Sequence, residues 1–251
     1  MTGIYFSGTG NTKYCLSVFM EKFGGEIFSV EDKSAVPAIT QSSDIAFAYP
    51  IYYSSLPKIV HDFITDNKDL WKGKNIYVIA DMGLFSGDGA GVSARLFKKY
   101  GANVTGGLHL RMPDCIGDVR ALKKSAEDNK KLIGAARLKA ENAAKLFSEG
   151  KPSQEGLNIF YHIAGLFGQR LWFGHKARSY AKSPSVDREK CVGCGICEKS
   201  CPMKNITVTE GKASGGCRCT MCYRCFSLCP KQAITIIGNK VIEQYRMEKY
   251  L

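Results

Sequence analysis

Two runs of cysteine near the end of the sequence constrain its structure more than any other feature. Each run has three cysteines at every third position and a fourth before a proline, namely Cys191, Cys194, Cys197 and Cys201, then Cys219, Cys222, Cys225 and Cys229. Three thiolates at this spacing can hold three irons of one [4Fe-4S] cubane, while the fourth cysteine reaches the other cubane. Zinc sites, the alternative, use separated cysteine pairs with four ligands per metal. We therefore predict two crossed ligand sets, which are Cys191, Cys194, Cys197 and Cys229 for one cluster, and Cys219, Cys222, Cys225 and Cys201 for the other.

The repeat extends beyond the cysteines. A shift of 28 residues places CVGCGICEKSCP on CTMCYRCFSLCP and residues 206–208 on residues 234–236. Self-similarity of this kind indicates a duplicated half-domain, each half with a ligand loop, a short helical turn and a strand. Residues 184–240 resemble the bacterial two-cluster ferredoxin fold, which implies a small α+β domain.

The second loop of this repeat lacks the glycines of the first. Met221, Tyr223 and Arg224 stand where the first loop has Gly193, Gly195 and Ile196. We therefore expect the two clusters to differ electronically. A guanidinium between two ligands favours the reduced cluster, so Arg224 would raise the potential of the second cluster unless it is turned into solvent.

The first 150 residues alternate between predicted strands and helices. The strands are predicted at 3–7, 26–30, 44–49, 75–80 and 104–110, and the helices at about 11–23, 56–67, 89–100 and 119–148. The central strands are continuously apolar, which is typical of a parallel sheet covered on both faces. The predicted fold class is therefore α/β, a doubly wound five-stranded parallel sheet whose ligand lies at the carboxyl ends of the strands.

The loop after the first strand is suited to a phosphate. Its residues are Ser7, Gly8, Thr9, Gly10, Asn11 and Thr12. The hydroxyls can donate hydrogen bonds, and the amides at the helix start add a positive dipole end. Lys13 breaks the G-x-G-x-x-G pattern and no Walker lysine follows, so an ordinary strand–helix turn is the remaining alternative. The run IYFSGTGNT resembles the FMN-phosphate loop of flavodoxins, which implies FMN and a flavodoxin-like fold.

The loops after strands three and four would then hold the isoalloxazine ring, as the same resemblance implies. Their candidate residues are Pro50, Ile51, Tyr52, Tyr53 and Ser54 in one loop, and Met82, Gly83, Phe85, Ser86, Gly87 and Gly89 in the other. The aromatic rings offer flat apolar faces, and the glycines let peptide groups approach the flavin. Each aromatic taken alone could equally pack in the core. Residues 111–115, after strand five, are expected on the same rim.

Taken as a whole, the chain resembles the fusion family that joins a flavodoxin domain to a two-cluster ferredoxin. We expect an FMN-binding domain at 1–150, a linker with an amphipathic helix at 151–183, and a cluster domain with a tail at 184–251. The resemblance implies an iron-sulfur flavoprotein that passes electrons between two [4Fe-4S] clusters and FMN, coupling one-electron donors to a flavin-dependent reduction. A non-catalytic electron-transfer module serving a separate enzyme is the alternative. The direction of flow, the terminal substrate and any catalytic residue stay open.

The linker helix has an apolar face formed by Phe160, Ile163, Phe167 and Leu171. This spacing favours packing against the core or between domains. A homodimer contact is the second interpretation, and a membrane-surface helix the third.

The charge is basic and unevenly distributed. The chain has 35 Lys+Arg and 23 Asp+Glu, with balances of −1, +8 and +5 over residues 1–118, 119–182 and 183–251. This suits either a solvated basic surface or a docking face for an acidic redox partner protein or a small anionic acceptor. No motif supports a nucleic-acid partner.

Several absences from the sequence set the expected location. No apolar stretch approaches the roughly 20 residues of a membrane span, and the first residues lack the basic segment of a signal peptide. The other cysteines, Cys15, Cys115 and Cys217, form no disulfide framework. We therefore expect a cytoplasmic protein.

Overall fold

The computed structural model describes residues 1–52, 55–84, 87–167, 180–182 and 184–251. We call residues 1–150 the sheet half and residues 184–251 the cysteine half. The sheet half contains five strands, β1 Thr2–Tyr5, β2 Ile27–Ser29, β3 Asp44–Pro50, β4 Asn75–Met82 and β5 Asn103–Arg111. They pair in the order β2-β1-β3-β4-β5, and every pair is parallel. The predicted doubly wound sheet is confirmed, and its strand order reverses between β1 and β3, where such folds bind ligands.

Helices cover both faces of this sheet. They are α1 Asn11–Met20, α2 Ala35–Gln41, α3 Lys58–Asp66, α4 Gly89–Lys99 and α5 Ala126–Ser148. One apolar core lies between the sheet and α1 with α5, and the other between the sheet and α2, α3 and α4. The continuously apolar strands are buried from both sides, as the sequence predicted.

Two features of these helices differ from the prediction. Helix α2 was not predicted, because it is short and carries a proline in its first turn, where proline is tolerated. The last helix was predicted from residue 119 but begins at Ala126, because the Ser125 side chain accepts a hydrogen bond from the Asp128 amide and caps the helix. Within residues 119–125 the chain forms only a single 3-10 turn.

The linker helix α6, Ile159–Gly165, turns its apolar side chains to solvent. Phe160 is 77% exposed and Phe167 is 67% exposed, and Ile163 is exposed too. The prediction that this face packs internally is therefore wrong for these three residues, while Leu171 lies outside the described residues. The helix packs instead through its other side, where the Gly165 backbone meets Gly87.

The cysteine half consists of short elements, β6 Ser185–Val186, α7 Ile196–Ser200, β7 Ile206–Thr209, β8 Lys212–Gly215, α8 Arg224–Leu228 and β9 Ile234–Thr235. Strands β7 and β8 form one antiparallel pair, and β6 and β9 form another. Helices α7 and α8 lie 28 residues apart, which matches the sequence repeat. None of the helices in the described ranges is long and apolar enough to cross a membrane.

A tail after β9 returns to the sheet half. The amides of Ile242 and Glu243 donate to the Gly117 carbonyl, and the Met247 amide donates to the Thr9 carbonyl. The side chain of Met247 covers Gly10, which has the left-handed φ of 101°. The tail therefore lies directly on the predicted phosphate loop.

Candidate cluster and flavin sites

Each predicted ligand set lines its own cavity. Cys191, Cys194, Cys197 and Cys229 line one cavity that encloses about 380 Å³. Cys201, Cys219, Cys222 and Cys225 line a second cavity of about 310 Å³. We call these the outer and the inner cavity. The backbone thus brings together the crossed sets that the spacing predicted, and four thiols per cavity are the donor set that a [4Fe-4S] cluster requires. In the described part of the chain, no group of three His, Cys, Asp or Glu side chains is arranged to hold a single metal ion.

Backbone amides point at sulfur atoms in both cavities. In the outer cavity the Ala213 and Ala233 amides donate to Cys191 and Cys229, at 3.4 and 3.3 Å. In the inner cavity the Asn205 and Met221 amides donate to the Sγ atoms of Cys201 and Cys219, both at 3.3 Å. Such hydrogen bonds stabilise thiolate charge and raise cluster potentials.

The thiols of the two cavities differ in their surroundings. The Ala213 amide lowers the pKa of the Cys191 thiol below its usual value. Burial raises the pKa of Cys222 to about 12. A bound metal removes the proton from a coordinating thiol outright, so burial is compatible with a ligand role for Cys222.

The left-handed backbone of the ligand loops repeats as well. Gly193 and Gly195 have φ of 67° and 75°, and Met221 and Tyr223, at the equivalent positions, have 56° and 57°. Side chains at such φ cost about 1 to 3 kcal/mol. The Tyr223 side chain is buried, and its hydroxyl donates to the Asp118 carboxylate at 2.8 Å. Tyr223 therefore takes a left-handed conformation that glycine adopts more easily, and its side chain reaches the sheet half.

Asp118 joins the halves through several hydrogen bonds. Besides Tyr223, its carboxylate accepts the amides of Ile236 and Ile237, at 2.7 and 2.9 Å. The side chain is 4% exposed, so water competes little for these bonds. Nothing in the sequence around Asp118 indicated this role, because its partners lie more than 100 residues away in the chain.

The predicted phosphate loop is preorganised at the start of α1. The Gly10 amide donates to Ser7 Oγ, and the helix begins without a side-chain cap or an acidic residue in its first turn. An uncapped helix start leaves amide donors available to an anion, so the loop fits a phosphate. Ser7, Thr9, Asn11 and Thr12 are all buried.

Two side chains of this loop have partners inside the protein. The Thr12 hydroxyl donates to Asp81, although the sequence suggested that it donates to a phosphate. Asn11 donates to the Pro113 carbonyl at 2.9 Å and accepts from the Tyr245 hydroxyl at 2.6 Å. Burial raises the pKa of Asp81 to about 6.

The first predicted ring loop packs near Cys222 of the inner ligand set. Ile51 packs against a group of buried side chains in the apolar core of the sheet half, and Cys222 belongs to the same group. Tyr52 closes a turn with Ser55, and burial raises the pKa of its hydroxyl well above the usual value. Pro50 ends β3, and Tyr53 and Ser54 lie outside the described residues.

The second ring loop is held by neighbouring backbone and side chains. Met82 is buried and accepts the Met112 amide, and the Gly83 backbone lies against Asp114, so the loop after β5 shares this rim. Gly89 begins α4, and its carbonyl accepts the Tyr49 hydroxyl at 2.6 Å. Phe85 and Ser86 lie outside the described residues. Flavin contacts of both loops stay a prediction.

The inner ligand loop touches the phosphate loop directly. A Cβ added at Gly8 would overlap the carbonyl oxygen of Cys222, so only glycine permits this approach. Arg224 fixes the contact by donating to the Ser7 carbonyl at 2.8 Å and to the Ser200 carbonyl at 3.2 Å. Its guanidinium also pairs with both oxygens of Glu31, at 2.6 and 2.7 Å. Arg224 is thus not turned into solvent, and Glu31 balances its charge.

Comparison with protein families places one match in each half. Residues 4–112 match the Flavodoxin domain family, and residues 184–207 match the 4Fe-4S binding domain family. The second match contains four of the predicted ligands, up to Cys201. These matches imply FMN and a [4Fe-4S] cluster.

Each of three curated relatives matches less than a third of the chain. An uncharacterized ferredoxin of Methanocaldococcus jannaschii is 27% identical over 73 residues, covering 26% of this chain and 46% of the relative. One component of an ion-translocating oxidoreductase complex of Methanosarcina acetivorans is 45% identical over 47 residues, or 18% of each chain. One component of an NADH-quinone oxidoreductase of Geobacter metallireducens is 29% identical over 83 residues, covering 29% of this chain and 63% of the relative. The chain therefore spans between 18% and 63% of the length of these relatives.

Solved structures similar to this chain include flavodoxins. The two-electron reduced flavodoxin of Megasphaera elsdenii is 25% identical, with a TM-score of 0.41, and the match covers 55% of this chain and 99% of that one. A flavodoxin from the domain Archaea is 17% identical, with a TM-score of 0.42 and coverages of 59% and 99%. With a flavodoxin match in the sheet half and a 4Fe-4S match in the cysteine half, the chain is a flavodoxin–ferredoxin fusion protein.

Proposed function

We propose that the chain transfers electrons between an external one-electron partner and FMN through two [4Fe-4S] clusters in series. Clusters carry single electrons and FMN holds one or two, so this cofactor set couples one-electron supply to two-electron chemistry. The observation that carries the proposal is the contact between Cys222 of the inner set and Gly8 of the phosphate loop.

The burial of the inner loop supports its position next to the flavin. Cys222 and Tyr223 are both buried, and Cys222 belongs to the apolar core of the sheet half. The hydrogen bonds of Arg224 hold this loop in one place relative to the phosphate loop. A fixed, dry contact of this kind favours electron transfer to a flavin, because neither loop has to reorganise.

The outer ligand loop is open to a partner. Cys194 is exposed, and the apolar side chains of Val192 and Ile196 beside it are exposed as well. The cysteine half has a positive balance of charge. We therefore assign the outer cluster to exchange with a redox partner that presents an acidic patch around a small apolar contact. The outer cluster would then pass electrons to the inner one.

The test is anaerobic stopped-flow reduction of the loaded protein by a reduced acidic ferredoxin, with Cys222→Ser and Cys194→Ser as variants. We expect each variant to lose one cluster in iron analysis and to slow flavin reduction by more than about tenfold, which is about 1.4 kcal/mol in the barrier. Cys217→Ser is the matched control, because this exposed cysteine lines neither cavity. Flavin reduction at the wild-type rate in Cys222→Ser would contradict the serial order.

A further inference from the structure

The lining of the inner cavity contains a threonine whose repeat counterpart in the outer cavity is a valine. Thr220, between the ligands Cys219 and Cys222, lines the inner cavity. The 28-residue shift of the repeat places it on Val192, which lines the outer cavity. Among its described lining residues the outer cavity has no Ser, Thr or Tyr. The two duplicated loops therefore differ in a hydroxyl that directly follows the first ligand of the run.

The hydroxyl of Thr220 is buried and unpaired within the described part of the chain. The residue is 5% exposed, and its Oγ1 makes no hydrogen bond to any described residue. Because a buried hydroxyl loses its hydrogen bonds to water, such a group is unfavourable unless it finds another partner. A hydroxyl that lines a cavity suited to a cluster has the sulfur atoms of that cluster as available acceptors.

The other polar side chains around the inner cavity already have partners. The Tyr223 hydroxyl donates to Asp118, and the Asn205 side-chain oxygen accepts the Arg218 amide at 2.6 Å. The sulfur atoms of two ligands, Cys201 and Cys219, accept backbone amides. Thr220 is therefore the hydroxyl of this lining whose hydrogen remains to be placed.

We propose that the Thr220 hydroxyl donates a hydrogen bond to a sulfur atom of the cluster in the inner cavity and raises the reduction potential of that cluster. The bond rests on the electron-transfer proposal, because it requires a cluster in this cavity. A reduced cluster is more negative than an oxidised one, so a hydrogen bond to its sulfur stabilises the reduced state more. Burial keeps water from screening the effect.

The outer loop cannot supply the same bond. Val192 has no hydroxyl and is 57% exposed, so the outer cluster relies on its amide donors and on water. A hydroxyl donor in the inner cavity alone raises the inner potential relative to the outer one. This difference favours the flow of electrons from the outer cluster to the inner one, beside the phosphate loop.

The experiment is an EPR redox titration of the full chain, loaded with iron and sulfide under anaerobic conditions, and of four variants. Thr220→Val and Thr220→Ala delete the hydroxyl, and the alanine places no methyl group where the hydroxyl stood, so it leaves room for the cluster. Thr220→Ser keeps the hydroxyl. Val192→Thr is the matched control, because it adds a hydroxyl at the equivalent but exposed position. Iron and sulfide analysis checks that every protein holds both clusters.

We expect both deletions to lower the equilibrium constant for one-electron reduction of one cluster by about three- to tenfold, where tenfold is about 59 mV. The other cluster keeps its potential, and Thr220→Ser and Val192→Thr leave both potentials unchanged. Two loaded clusters with unchanged potentials in both deletion variants overturn the proposed bond alone. A shift in Thr220→Ser as large as in Thr220→Val also overturns it, because packing would then set the potential. A parent protein that binds fewer than two clusters overturns the electron-transfer proposal and the bond with it.

Discussion

The two ligand loops share one backbone but have opposite surroundings. The outer loop turns Val192, Cys194 and Ile196 to solvent, whereas the inner loop buries Met221 and Tyr223 against the sheet half. The duplication repeats the ligand geometry down to the left-handed residues, so the geometry alone does not distinguish the loops. The contacts made around them do, because they bury the inner loop against the sheet half and leave the outer loop open to solvent.

The largest expected effect comes from removing the carboxylate beneath the inner loop. Asp118→Ala deletes three hydrogen bonds in a buried position, so we expect a loss of about 3 to 5 kcal/mol in unfolding free energy. Thermal unfolding under anaerobic conditions, followed at the cluster absorbance, measures it. Asp187→Ala is the counterpart near the outer loop, where the carboxylate is exposed and accepts the Glu189 and Lys190 amides. Equal shifts in Tm for the two variants would contradict the difference between the loops.

The next effect concerns Asp81, a buried carboxylate near the end of β4. Burial raises the pKa of Asp81 to about 6, so the folded state holds this proton more tightly than the unfolded state does. The free energy of unfolding therefore falls as the pH rises from about 4 through 6. Asp81→Asn lacks this penalty and can still accept from Thr12. We expect the variant to be more stable by about 2 to 3 kcal/mol at pH 8, and by about 1 kcal/mol less than that at pH 5.

Thermal unfolding of both proteins across this pH range measures the effect. Asp44→Asn is a control, since Asp44 lies at the start of β3, far along the strand from the site. If the difference in unfolding free energy between Asp81→Asn and the parent does not change with pH, Asp81 has its ordinary pKa.

A third effect concerns the contact between the loops. Gly8→Ala forces the Cys222 carbonyl away, because an added Cβ overlaps it. We expect flavin reduction through the clusters to slow by about three- to tenfold, with direct reduction of the flavin by dithionite unchanged. Gly134→Ala, on the exposed side of α5 where a Cβ meets no atom, is the control. If flavin reduction through the clusters is equally fast in Gly8→Ala and the parent, electron transfer does not depend on this contact.

The smallest effect is on the potential of the inner cluster. The sequence predicted that Arg224 makes this cluster easier to reduce, but Glu31 pairs with the guanidinium. We therefore expect Arg224→Gln to lower the potential and Glu31→Gln to raise it, each by about 60 mV or less, which is tenfold or less in the one-electron equilibrium constant. An EPR redox titration measures both, and the outer cluster serves as the internal reference. A shift of the same sign in the two variants would contradict the balance of charge.

Much of the fold and the grouping of the cysteines around two cavities could be predicted from the sequence, because both follow from regular spacing along the chain. Apolar runs of strand length predict the parallel sheet, and the C-x2-C-x2-C-x3-C-P runs predict the crossed sets that line the two cavities. The partners Glu31 and Asp118 could not be predicted, since their contacts join residues more than 100 positions apart. One signal was present in the sequence. Tyr223 stands at the repeat position of Gly195, where a side chain on a left-handed backbone is unfavourable and other contacts have to offset its cost.

The tail has a consequence for the maturation of the protein. Met247 covers Gly10 and Tyr245 bonds Asn11, so the phosphate loop made by the first dozen residues is closed by residues that follow both cysteine runs in the chain. During synthesis the tail therefore cannot close the phosphate loop until both ligand loops have left the ribosome. Closure of the phosphate loop is therefore a late step in the folding of the chain, although the loop itself is made first.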